Sequence, residues 1–98
     1  MIYKNCEMIG FYYDSVADDH LCNVLLDEKK IRVEYGLDGQ AYAYEGENKG
    51  TGHFFLTLKE GPGEGIASLH FERDNKTMVG WWLEDGVEGL WKVTLKNG

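Results

Sequence analysis

The chain has 98 residues, 43% hydrophobic and 13% aromatic, which suits one folded domain over 1–98 with a modest core and excludes a disordered chain. A net charge of −7 without any basic stripe argues against a nucleic-acid backbone as partner. No apolar run approaches the ~18 residues of a membrane span, and the stretch from Met1 to Glu7 lacks a signal-peptide pattern, so a cytoplasmic protein without a membrane partner is expected.

In chain order, residues 7–13 read as a first strand, followed by a polar loop from Asp14 to Asp19. Residues 21–26 and 30–35 read as a hairpin with Glu28-Lys29 at its tip, pairing Leu26 with Ile31 and Cys22 with Tyr35. Asp38-Gly39 is a strong hairpin turn and sets Tyr42 opposite Tyr35. A three-residue loop between Gly46 and Gly50 puts Tyr42 opposite Phe54. The next strand, 52–59, alternates through Phe54, Leu56 and Leu58. The loop from Glu60 to Glu64 then sets Phe54 beside Phe71, and a turn at Asn75-Lys76 sets Leu69 beside Trp82.

The stretch from Thr77 to Leu95 is the clearest hairpin, turning at Asp85-Gly86. Counting outward places Trp82 opposite Gly89 and Gly80 opposite Trp91, so each indole faces a position without a side chain. Trp82 and Trp91 are therefore expected in the core, seated by these glycines. Cys6 and Cys22 show no metal-binding spacing and read as reduced thiols, with a disulfide between the first two strands as the alternative.

One apolar face runs from Cys22 and Val24 through Tyr35, Tyr44, Leu56 and Leu69 to Met78, Trp91 and Val93. No segment has helical periodicity. The fold class is thus all-β: a single antiparallel up-and-down meander of about eight strands, which hides its apolar face by closing into a barrel or by pairing with a second copy. Closure into a lipocalin-like barrel is the expected solution.

The strand rhythm and the Gly/Trp punctuation resemble the lipocalin, fatty-acid-binding and avidin group of barrels. Within residues 42–95, Tyr42-Ala-Tyr44, Gly50-Thr-Gly52, Met78-Val-Gly80-Trp-Trp82 and Gly89-Leu-Trp91 are similar to the minimal lipocalin-like barrel of bacterial antiphage membrane effectors. That resemblance implies a role in antiphage defence and a lumen that senses cyclic oligonucleotides. Those effectors also carry membrane helices, and no apolar run of that length occurs here.

Tyr35, Tyr42, Tyr44, Trp82 and Trp91 point into the expected lumen as candidate ligand-binding residues. A barrel of this size either fills with side chains or holds one small ligand. The functional expectation is a non-enzymatic ligand-binding barrel for an apolar, aromatic or nucleotide-like molecule. On the outer face, Phe55, His70, Trp81 and Leu90 are expected side by side as an interface, most simply a homodimer that weakens toward pH ~6 if His70 is buried neutral at its centre. The alternative function is accordingly a small acidic interaction or inhibitor protein.

Two clusters could carry other chemistry. Ala17-Asp-Asp-His20 offers carboxylates beside an imidazole, and His53 with Glu72 could form an acid–base pair across strands. Both also suit solvated surface. No nucleophile elbow, phosphate-cradling glycine loop or zinc spacing occurs, so neither enzyme activity nor a cofactor or metal is expected.

Overall fold

The alternating apolar residues form eight strands in the computed structural model, which describes residues 1–12 and 18–96. They are β1 (Ile2–Tyr12), β2 (Asp18–Leu26), β3 (Lys30–Leu37), β4 (Gln40–Glu47), β5 (His53–Glu60), β6 (Gly65–Phe71), β7 (Thr77–Glu84) and β8 (Val87–Thr94). Each strand pairs antiparallel with the next, and β8 pairs back onto β1 to close the barrel. Closure leaves no unpaired edge and turns the common apolar face inward.

β1 begins at Ile2, five residues before the expected start. Asn5, with φ 54°, makes a bulge between Tyr3 and Cys6, and its N–H donates to Asn23 Oδ1 at 3.2 Å. The extra residue shifts the strand's parity, so Tyr3 packs on the core and Cys6 and Met8 enter it. A strict alternation rule misses such a strand. Tyr13, the last residue of the expected strand, lies outside the described residues.

Three hairpins have the expected register: β2–β3, β3–β4 and β7–β8. Asp38-Gly39 and Asp85-Gly86 have positive φ at both positions, the geometry whose twist matches a two-residue hairpin. The β2–β3 tip lacks glycine and is held instead by Asp27. Its Oδ1 accepts the N–H groups of Lys29 and Lys30, both at 2.8 Å, and these bonds hold its carboxyl below its ordinary pKa.

The other registers differ from expectation. Tyr44 pairs with Leu58 and Gly46 with Leu56, where Tyr42 opposite Phe54 was expected. The connection is longer than three residues and folds against the β2–β3 tip: Asn48 donates from its backbone to Lys29 O at 2.8 Å and from Nδ2 to Asp27 O at 2.7 Å. Phe54 pairs with Leu69 rather than Phe71, and Ala67 rather than Leu69 pairs with Trp82. In the β6–β7 turn, Asp74 Oδ1 accepts from the N–H groups of Lys76 and Thr77, which lengthens the loop beyond Asn75-Lys76. The slips from Tyr44 onward are even, so those strands keep their inward faces, and a bulge between Ala43 and Tyr44 takes up one odd residue at β4–β5. The stagger at β4–β5 belongs to closure, because barrel strands must tilt and shear. Outside, Arg32 of β3 spans this seam, bonding Glu34 at 2.9 Å, Glu45 at 3.0 Å and Glu60 at 2.9 Å.

Tyr44, Ile31, Leu56, Leu69, Met78, Val24, Val33 and Val93 are the large buried side chains of the core. Cys6 and Cys22 face each other across β1–β2 as free, buried thiols. Burial, and then the neighbouring Cys6, push the Cys22 thiol up to about 12.

Trp91 is buried and Trp82 only half-buried, so just one of the two is a full core residue. Trp91 Nε1 donates to Ser68 O at 2.8 Å. That carbonyl sits over Gly80, where a Cβ would collide with it. Trp82 Nε1 donates to Leu90 O at 3.1 Å, and a Cβ on Gly89 would strike both the Trp82 ring and Phe11 O. Gly89 thus seats the Trp82 indole directly, whereas Gly80 makes room for the Ser68 carbonyl that Trp91 bonds.

Candidate functional site at the barrel mouth

In an up-and-down barrel alternate connections share one end. The end carrying the β3–β4 and β7–β8 turns holds a cavity of about 60 Å³. It has room for a few waters or a small head group, well short of the hundreds of Å³ that enclose a drug-sized ligand. Below it lie the buried side chains of the core.

Inward alternation along β7 runs Met78, Gly80, Trp82, Glu84, so a carboxylate follows an indole into the lumen at the last position before the turn. Tyr44 of β4 donates its hydroxyl to Glu84 Oε1. Tyr35 of β3 donates to the same oxygen at 3.4 Å. Gly65 pairs with Glu84, and a Cβ there would collide with the Tyr44 hydroxyl, so this glycine makes the Tyr44–Glu84 contact possible. Burial first, then the Glu84 carboxylate, raise both phenols well above their ordinary value of 10.0. Among the described residues, no lysine or arginine pairs with Glu84.

The rings form an aromatic surround. Tyr44 lies 5.6 Å from Trp91 and Tyr12 lies edge-on to Trp82 at 5.4 Å, both between centroids. His20 stacks on Tyr35 at 6.4 Å. Asp18 beside Tyr12, together with burial, raises the Tyr12 pKa above its ordinary value.

Of the five expected ligand-binding residues, Tyr35, Tyr44, Trp82 and Trp91 line this cavity. Tyr42 does not; it stacks behind Tyr35 with centroids 5.2 Å apart and planes 2° apart. Glu84, Tyr12, Asp18 and His20 also line the cavity and were missed as ligand-site residues. Glu84 shares the inward parity of Trp82, and Asp18 and His20 share that of Cys22, so alternation could have found all three. Asp19 faces outward, and Ala17 lies outside the described residues. Among the described residues, no three metal-type side chains cluster.

The outer face is rearranged by the register slips. His53 pairs with His70, their rings 5.8 Å apart, while Glu72 belongs to the β6–β7 turn; the expected His53–Glu72 pair does not form. Phe55 stands beside Ser68, not His70, and Ser68 Oγ accepts from Trp81 N at 3.2 Å. Trp81 pairs with Leu90, and Leu90 with Phe11 across the closing seam. The outer row is therefore the exposed Phe55, Trp81, Leu90 and Phe11 with the half-buried Ser68 among them, and His70 is displaced toward Val79. A histidine-centred pH response of that row loses its basis.

The sequence matches no protein-family model and no curated protein. The architecture alone defines the class: a closed, antiparallel, eight-stranded up-and-down β-barrel, compatible with the calycin-like barrels. No helix among the described residues is long and apolar enough to cross a membrane.

Proposed function

We propose that this protein is a non-enzymatic binding module that takes a small molecule, or the end of a larger one, into the barrel mouth. The observation that carries this reading is the cavity ringed by Tyr35, Tyr44, Trp82 and Trp91. Flat rings present apolar area at fixed positions, while the hydroxyls and Glu84 orient a polar end. Of the ligand classes the sequence suggests, an aromatic or apolar body suits the rings. A phosphate would meet Glu84 and Asp18, so a nucleotide-like ligand is the least favoured, and with it cyclic-oligonucleotide sensing in antiphage defence.

The test follows tryptophan emission during titration with 2-phenylethanol, cyclohexanol, AMP and 2-phenylethylamine. A saturable change with at least one probe, largely lost in Trp82→Phe, is expected. No saturable response to any probe would sink the binding reading.

A second reading, an interaction face, is favoured by the exposed Phe55, Trp81, Leu90 and Phe11 on adjacent strands. The occupant proposed is a second copy, because a two-fold axis buries one such row twice. Sedimentation should then show a dimer that Trp81→Ser dissociates. A wild-type monomer at high concentration would remove this reading.

A further inference from the structure

The mouth places a carboxylate inside a ring of aromatic side chains. Glu84 enters from β7 between Trp82 and the turn, and its Oε1 already accepts both Tyr44 and Tyr35. Among the described residues Oε2 accepts no hydrogen bond, and no cationic side chain reaches either oxygen. Asp18 lines the same cavity and adds negative charge, and Asp38 lies close enough to act on Tyr12. The lining holds no lysine or arginine, and the intervening sequence Tyr13-Asp-Ser-Val-Ala17 contains none. An anion is therefore repelled from every side of the mouth that bears charge.

The same walls attract a cation. Tyr12, Tyr35, Tyr44, Trp82 and Trp91 supply electron-rich rings from five different strands around one small space. A cation near such faces is held by the ring quadrupoles, most strongly where water is displaced. An N–H donor on that cation finds Glu84 Oε2 as a charged acceptor, the stronger kind of hydrogen bond. The volume of about 60 Å³ suits an ammonium head rather than a whole ligand, leaving its tail at the rim against Trp82 and Tyr12. The net charge of −7 raises the local concentration of any cation before contact.

We infer that the ligand of this barrel is a small protonated amine, its ammonium group held by Glu84 inside the aromatic ring of the mouth. This inference rests on the binding reading above and specifies its ligand class. The deciding comparison is calorimetric titration of the wild-type protein with 2-phenylethylamine, protonated at pH 7, and with its neutral isostere 2-phenylethanol. The amine should bind about tenfold or more tightly than the alcohol and weaken as salt rises, while the anion 3-phenylpropanoate should not bind. Glu84→Gln keeps an oxygen to accept Tyr44 and Tyr35, so it should fold and lose the preference for the amine over the alcohol. Equal or tighter binding of the alcohol to wild type would overturn the amine inference and leave the barrel a binding module. Binding of neither molecule would overturn the amine inference as well. An undiminished amine preference in a folded Glu84→Gln would remove Glu84 from the site. Should that variant not fold, the wild-type pair decides alone.

Discussion

Gly80→Ala should destabilise the barrel by about 3 kcal/mol, a fall of roughly 12 °C or more in melting temperature, or prevent folding. The added Cβ would land on the backbone carbonyl of Ser68, which cannot rotate away as a side chain can. Moving that carbonyl also breaks its bond from Trp91 Nε1, leaving a buried indole N–H without a partner. Gly89→Ala should behave similarly, since its Cβ meets Phe11 O and the Trp82 ring. Gly10→Ala is the control. It is also a strand glycine, yet a Cβ there touches nothing within 4 Å, so its effect should stay within about 0.5 kcal/mol. Thermal melts of the three variants decide the matter. If Gly80→Ala melts with Gly10→Ala, the close approach of β6 to β7 and the seating of Trp91 are wrong.

Raising the pH should unfold the barrel cooperatively at about pH 11–12. Tyr35 and Tyr44 have folded pKa values above the ordinary 10.0, raised by burial and by Glu84. A group with a raised folded value lends stability that is complete below its unfolded value and is lost as pH climbs toward the folded one. Each such tyrosine therefore removes about 1.4 kcal/mol per pH unit above pH ~10. Two of them together remove on the order of a few kcal/mol by pH 12, a large part of the stability of a small domain. Cys22, raised from 9.0 to about 12, acts in the same direction from a lower pH. Tyrosinate absorbance and far-UV circular dichroism, followed together, test this. The buried phenols should ionise in step with loss of the strand signal, and Tyr44→Phe should flatten the decline. Independent ionisation of all six tyrosines near pH 10 in an intact barrel would show that Tyr44 and Tyr35 are not held by Glu84.

Away from the bulges at Asn5 and Ala43, the face of a residue was legible in the sequence because a strand has a period of two. Tyr35, Tyr44, Trp82 and Trp91 could be assigned to the interior without any knowledge of closure, and even-numbered register slips left that assignment intact. Register was equally legible wherever a short turn dictated it. Asp38-Gly39 and Asp85-Gly86 permit little but a two-residue hairpin, and Asp27 closes the β2–β3 tip by its own hydrogen bonds. Across the longer connections after Glu47, Glu60 and Phe71, local chemistry does not choose between lengths. There the shear that lets β8 meet β1 decided the pairing, which is why Ser68 rather than His70 lies between Phe55 and Trp81. Closure alone brought Phe11 beside Leu90 and drew Tyr12, Asp18 and His20 into the ring with Glu84. Those polar residues sit at strand ends with inward parity, and that parity leads to a lumen only once the strands close around it. Residues distant in sequence become neighbours only when the sheet curls back on itself, and the candidate site exists by virtue of that curl.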